Sequence, residues 1–380
     1  MKINVMTWNM AGAKLLKHFD SPPTNVAQTY IDQYRSAWTS SIIPYLSFPG
    51  PSADFPDIIL LQECIGFVDT RPTPSGRWQS GKEILQSIFT GYECFFFPAF
   101  SSQKNHNPAK WNKFRIGSGI QYFLPDEIDA QQGYGVCVRD PNQLKRIWID
   151  DKSITENTPS MIDNSSSPYG FSFEAINLTT GMYLGNRDTE PRLAILGRMK
   201  LSAGNDERYC NFINLHLTTL QGEREGNPKI NRIGSEIRLQ HLKVIVENII
   251  SAYQESTLYR IPRKTLNRKD DIWIVAGDFN ATPESNELDL IRKSDFIDGN
   301  PDKRMIDQSG RFQNQIGTKI SLRDKSSPPV VVDYIHCGLQ GASFNTGGVG
   351  TSNSRRPFLV PFTDPNFATD HAALFACFEI

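Results

Sequence analysis

Short apolar runs recur from one end of the chain to the other, and several close on a polar residue that a buried strand does not ordinarily carry. Ile3 to Trp8 leads into Asn9, Ile58 to Gln62 into Glu63, and Ile272 to Ala276 into Asp278 and Asn280; the run from Tyr209 ends in Asn214 and His216. Further runs are Cys94 to Phe97, Gly119 to Leu124, Leu193 to Leu201, Val330 to Cys337 and Ala372 to Ile380. Several are apolar at successive positions, as strands are when both faces of a sheet are covered. Helical spacing is clearest from about Glu236 to Tyr253, where Leu242, Ile245, Val246, Ile249 and Tyr253 share one face, Lys243, Glu247 and Asn248 the other, and Ser235 stands ready to cap. Further helices are expected within Val26 to Tyr45, stopped near Pro44, and over Lys82 to Phe89. Strands and helices interleave, so the expected class is α/β.

Parallel strands gather their C-terminal ends at one sheet edge, where ligands usually bind. Asn9, Glu63, Asn214, His216, Asp278 and Asn280 can therefore converge although they are far apart in sequence. Asp333, inside VVVDYIHC, and the pair Asp370-His371 open their runs instead of closing them. Those two strands must run the other way to reach the same edge, which requires mixed sheets. The resulting cluster would be rich in hard oxygen donors, and such a set suits Mg²⁺, or Mn²⁺, better than Zn²⁺. Taken singly, each residue has a plainer reading: Glu63 as a surface carboxylate, Asn9 as a turn residue before Ala11-Gly12, His216 as a hydrogen-bonded structural histidine, GDFNATP as a turn.

Composition narrows the field further. With 40 Lys and Arg against 41 Asp and Glu, the formal charge of −1 shows none of the bulk cationic character that drives non-specific nucleic-acid or membrane binding. A polyanionic substrate would have to be held by local charge or metal. No apolar stretch approaches the ~20 residues of a membrane helix. The opening MKINVMTWNMAG lacks the apolar core and cleavage site of a secretory leader, and the six cysteines, Cys64, Cys94, Cys137, Cys210, Cys337 and Cys377, form no CxxC pair. Free, mostly buried thiols in a cytoplasmic protein are expected. No repeat and no linker-sized low-complexity segment divides residues 1–380, which read as one domain; the polar, aperiodic stretch from Pro125 to Pro191 reads as an insertion over one face. Nothing indicates a protein partner.

Taken in order, TWNMAG, DIILLQE, NLHL, VAGDFNATP, VVVDYIHC and TDHAAL resemble the motifs of the endonuclease/exonuclease/phosphatase superfamily, the deoxyribonuclease-I-like metallophosphoesterases, over essentially the whole chain. The resemblance implies a four-layered α/β sandwich, two central mixed β-sheets flanked by helices, that hydrolyses a phosphoester with a divalent metal. By matching motif, Glu63 would be the principal metal ligand, with Asn9 beside it and Asp370 extending the shell. Asp278, held by Asn280, would orient or deprotonate the attacking water. His371, paired with Asp333, and His216 from the other side would contact the phosphate and stabilise charge in the transition state. Asn214 joins this set as a substrate-binding residue.

Where some nucleases of the family carry an arginine two residues beyond the glutamate, this chain has Ile65. Arg192, opening RLAILGRMK, resembles an arginine found at that place in several members and reads either as a phosphate contact or as an ion-pairing residue. Basic residues also occupy the expected loop from Thr218 to Gly234, with Arg224, Lys229 and Arg232, and the stretch with Lys104, His106, Lys110, Trp111, Lys113 and Arg115, where an aromatic sits among the charges as in single-strand binders. The denser run from Arg260 to Lys269 precedes the strand to Asp278 and so falls about 20 Å from the site. A nuclease or nucleic-acid phosphodiesterase is the leading reading. The alternatives are a hydrolase of phosphoinositides, phospholipids or small phosphoesters, and a binding protein on an inactive scaffold.

Overall fold

The computed structural model describes residues 2–10, 32, 35, 36, 38, 39, 55–74, 78–101, 113–116, 120–123, 128–140, 143–144, 173–178, 192–200, 209–220, 223, 226–250, 272–293, 306–307, 330, 332–339, 371 and 373–379. In chain order its strands and helices are β1 (Lys2–Asn9), β2 (Ile58–Asp69), α1 (Gly81–Ile88), β3 (Glu93–Ser101), β4 (Lys113–Ile116), β5 (Ile120–Phe123), β6 (Ile128–Val138), β7 (Phe173–Asn177), β8 (Leu193–Lys200), β9 (Tyr209–His216), α2 (Pro228–Lys243), β10 (Ile272–Asp278), α3 (Asn286–Lys293), β11 (Ile306–Asp307), β12 (Asp333–Leu339) and β13 (Leu374–Glu379). A π-helical stretch, Val244–Ile250, continues α2.

Two sheets carry the fold, one ordered β13-β1-β2-β6-β3 and the other β11-β12-β10-β9-β8-β7, while β4 and β5 form a separate hairpin. Both are mixed. β1 runs parallel to β2 and antiparallel to β13; β10 runs parallel to β9 and antiparallel to β12. This is the reversal that Asp333 and His371 demanded.

The sheets face each other across a core of Ile3, Val5, Ile58, Leu60, Val136, Phe212, Ile272, Ile274, Ile335 and their neighbours. These occupy every second position of their strands, each burial contributing roughly 1.5–3 kcal/mol. The intervening positions of the second sheet, including Ile213, Leu215, Trp273, Val275 and Tyr334, pack against Leu242 and Ile245 and against Leu288 and Ile291 of α3. On the far side of the first sheet, α1 covers β2, β3 and β6 through Ile84, Leu85 and Ile88, and Trp38, in a helical stretch, sets its ring edge-on against Trp8 at 4.7 Å. Helix, sheet, sheet and helix make four layers. Both faces of each sheet are therefore covered, which is why the strand sequences alternate so poorly.

Three expectations are corrected. The long helix starts at Pro228 and not near Glu236: Asn227, not Ser235, caps it by accepting from the backbone of Lys229 and Ile230 at 3.1 and 3.3 Å. Gly234 looks like a breaker in sequence, yet it lies within the helix, where a Cβ would stand 2.5 Å from the Glu223 carboxylate. Lys229 and Arg232 thus lie on the first turns of α2 and not in a loop. The stretch from Pro125 to Pro191 is framework in part, since it supplies β6 to the middle of the first sheet and β7 to the second. Its glycines hid that strand; a Cβ on Gly133 would meet the carbonyl oxygen of Phe97 at 2.0 Å. Finally, Glu63 does not follow β2 but lies inside it.

Among the described residues no helix is long and apolar enough to cross a membrane. Cys64, Cys94, Cys137, Cys210 and Cys337 are free and buried, as expected; the side chain of Cys377 lies outside the described residues.

Candidate active site

The inner faces of the strands turn from apolar to polar at one edge. On β9 the sequence of inward positions is Cys210, Phe212, Asn214, His216; on β10 it is Ile272, Ile274, Ala276, Asp278; on β12, read from the other end, Cys337, Ile335, Asp333. Registry places Asp278 directly between His216 and Asp333. All three are buried, Asp278 completely. Across the gap, Asn9 ends the inward series Ile3, Val5, Thr7 and pairs in register with Gln62.

Glu63 reaches the same place by a different route. The pairing of β2 with β6 slips between Leu61 and Cys64, and Glu63 takes a left-handed backbone with φ 51°. In an unbroken strand Gln62 and Glu63 would face opposite sides. The bulge lets both stand at the inner edge, at the cost of a conformation a glutamate rarely adopts. Asn280, φ 48°, is the other non-glycine with positive φ among the described residues, and it too belongs to the cluster. Strain of this kind collects where function over-determines geometry.

Asp278 is the hub. Its Oδ2 accepts from Asn9 Nδ2 at 3.0 Å and lies 3.5 Å from His216 Nε2 and 3.7 Å from His371 Nε2. Its Oδ1 accepts the backbone N–H of Asn280 at 2.8 Å. The same Asn9 nitrogen donates to Glu63 Oε1 at 3.1 Å, so one amide joins two carboxylates; His216 Nε2 stands 3.8 Å from that Glu63 oxygen. His371 Nδ1 faces Asp333 at 2.9 and 3.1 Å, and the His371 carbonyl accepts from the Trp8 indole at 2.9 Å. One ligand atom each from Asp278, Asp333 and His371 fall within 4.8 Å of one another, a grouping that could hold a metal ion.

Two residues expected to bind substrate have partners within the protein. Asn214 is wholly buried, accepts from Gln62 Nε2 at 2.7 Å and donates to the carbonyls of Leu61 and Gly135 at 2.9 and 3.0 Å. It ties the two sheets together one inward position beneath His216. Arg192 Nη1 lies 2.8 Å from His216 Nδ1. Asn280 holds Asp278 through its backbone, while its side-chain amide donates to the Leu217 carbonyl at 2.9 Å and pins the segment after β9. Asp370 and Arg224 lie outside the described residues.

Sequence reasoning missed the residues behind the site. Gln62, Trp8 and Tyr134 position it, and Gln62 and Tyr134 were detectable as polar groups at inward positions of buried strands. Arg238 of α2, buried, binds Glu223 and Glu287 and donates to the Thr218 carbonyl at 3.1 Å, fixing the segment that leaves His216. Nearby His241 is pushed down to about 3, first by burial and then by Arg192 and Arg238, and so stays uncharged.

Comparison with protein-family models and with curated proteins finds no match. Solved structures do match along the whole chain at low identity. A humanized D. rerio TDP2 carrying 14 mutations is 14% identical, with a TM-score of 0.47 over 100% of this chain and 99% of its own. An endonuclease/exonuclease/phosphatase from Bacteroides vulgatus is 13% identical, with a TM-score of 0.46 over 100% and 99%. The human Nocturnin catalytic domain with bound sulfate anion is 17% identical, with a TM-score of 0.43 over 100% and 93%. In the order of its sequence motifs the chain resembles the endonuclease/exonuclease/phosphatase superfamily.

Proposed function

We propose that the protein is a divalent-cation-dependent phosphoester hydrolase of the endonuclease/exonuclease/phosphatase type, with a nucleic acid as its leading substrate. The observation that carries this reading is the Asp278 carboxylate, buried in register between His216 and Asp333 and bonded through Asn9 to Glu63. Three buried carboxylates, Glu63, Asp278 and Asp333, share this edge with the Asn9 amide. So much negative charge out of water calls for a compensating cation, and the hard oxygen donors fit Mg²⁺ or Mn²⁺. Glu63 would hold it, with Asn9, Asp370 and the Asp278 side of the cluster as further donors. The ion would neutralise charge on the phosphoryl oxygens as the ester breaks.

The chain's own groups account for the rest. Asp278, with Oδ1 tied to the Asn280 backbone, offers Oδ2 to orient an attacking water and take its proton. His371 is held by Asp333 through Nδ1 and presents Nε2 to a non-bridging oxygen. His216 donates from the opposite side. Together they supply donors aimed where negative charge develops. The preference for nucleic acid rests on the sequence, on the basic residues interleaved with Trp111.

A hydrolysis assay with Mg²⁺ and with EDTA tests this reading, offering single- and double-stranded DNA, RNA, inositol phosphates and phospholipids to the wild type and to Asp278→Asn. Metal-dependent cleavage of nucleic acid, lost in the variant, is expected. Cleavage of small phosphoesters alone would keep the chemistry and move the substrate; no cleavage of any ester would overturn the proposal and leave a binding protein.

A further inference from the structure

Two histidines flank the Asp278 carboxylate, and the groups behind them have opposite hydrogen-bonding character. Behind His371 stands the Asp333 carboxylate, an acceptor when ionised, which then calls for a proton on Nδ1 of that ring. Behind His216 stands the Arg192 guanidinium, with Nη1 2.8 Å from Nδ1. A guanidinium only donates and does not give up its charge in proteins. The His216 Nδ1 must then be the bare, accepting nitrogen, and the ring proton sits on Nε2. That is the nitrogen that faces Asp278 and Glu63 at 3.5 and 3.8 Å.

The scaffold holds this arrangement from both sides. Arg192 immediately precedes β8, which lies antiparallel to β9 with Ala194 opposite Leu215. Its carbonyl accepts from the backbone of Leu178 at 2.7 Å. The Tyr134 hydroxyl accepts from Leu193 N at 3.1 Å and donates to the His216 carbonyl at 3.4 Å, so one side chain ties the backbones of both partners. Arg192 is 6% exposed and His216 3%, which leaves little water to compete for their bond.

We propose that Arg192 is a positioning residue that locks His216 in the Nε2–H tautomer, making it a hydrogen-bond donor to substrate and barring it from accepting a proton there. Proton acceptance from the attacking water then belongs to Asp278. The catalytic half of this proposal rests on the phosphoester-hydrolase reading; the tautomer does not.

The test is ¹⁵N NMR of the histidine-labelled full chain, with the His216 signal assigned through His216→Gln, in wild type and in Arg192→Lys, Arg192→Met and Arg192→Glu. In wild type, Nδ1 is expected in the unprotonated range and Nε2 in the protonated range. Lys, still a donor, keeps that pattern and most of the activity; Met loses the fixed preference. Glu, an acceptor, moves the proton to Nδ1 and lowers kcat by about 10²-fold, the scale of a lost transition-state donor, with a smaller change in KM. A protonated Nδ1 in wild type, or an Arg192→Met chain with unchanged tautomer and kcat, would overturn the proposal. Should Arg192→Glu fail to fold, the Lys and Met variants still decide it. If the wild type hydrolyses no phosphoester but shows the expected nitrogen shifts, the functional reading fails and the tautomer assignment stands.

Discussion

The second sheet delivers His216, Asp278 and Asp333 side by side on three neighbouring strands in unbroken register, whereas the first delivers Glu63 by breaking its own register, and His371 stands ahead of β13. The regular half is fixed by the ladder, so displacing Asp278 means displacing β9, β10 and β12 together. The irregular half is fixed by local bonds: the Asn9 amide on Glu63 and the Trp8 indole on the His371 carbonyl. A single side-chain substitution leaves the first kind of support intact and removes a bond from the second.

The largest test of that contrast is Asp278→Asn, which keeps shape and register and removes the charge. Turnover is expected to fall roughly 10²–10⁴-fold with the melting temperature little changed; near-wild-type activity would show that the regular row is not the reaction centre. Next comes the layer behind that row. His241 is held down to about 3 from an ordinary 6.5, so as pH falls through that window the unfolded chain takes up a proton that the folded chain refuses. Stability is therefore full above about pH 6.5 and is lost between there and about pH 3 by at most ~1.4 kcal/mol per unit. Denaturant titrations across pH should show that slope, and His241→Phe should flatten it.

On the irregular side, Glu63→Gly removes a carboxylate and a left-handed strain at once. The Mg²⁺ activation curve should move to higher concentration while stability stays level or rises by up to ~1 kcal/mol. A loss of several kcal/mol would mean that the side chain, and not the bulge, holds this edge. The smallest effect is set by Arg232→Ala, which breaks an exposed pair with Glu236 and should cost no more than about 0.5 kcal/mol by thermal melt.

The same contrast explains what could be read from sequence. The apolar runs found their strands, and the polar residues ending them met at one edge, because period-two alternation carries a strand's face along its whole length. Asn214 and His216 share one face and one spacing, yet the first is a cross-sheet tie and the second lies at the site; depth along a strand is set by its partners, which a single sequence does not display. Glu63 reads as following a strand because a bulge has no pattern of its own. Arg192 stands out in the sequence but its partner does not, since β8 and β9 bring it to His216 only through their antiparallel pairing. The strand β6 is hard to read because Gly133 and Gly135 dilute its apolar content where neighbouring backbone and side chains leave no room for a Cβ.

The buried thiols give the molecule a set of internal clocks. Cys64, Cys94 and Cys137 lie in the first sheet, Cys210 and Cys337 in the second. Burial pushes the thiols of Cys64, Cys137 and Cys337 up, away from the reactive thiolate form. An alkylating reagent can mark them only after their strands part, so each adduct dates an opening. The order in which the adducts appear records which sheet, the regular one or the bulged one, lets go first.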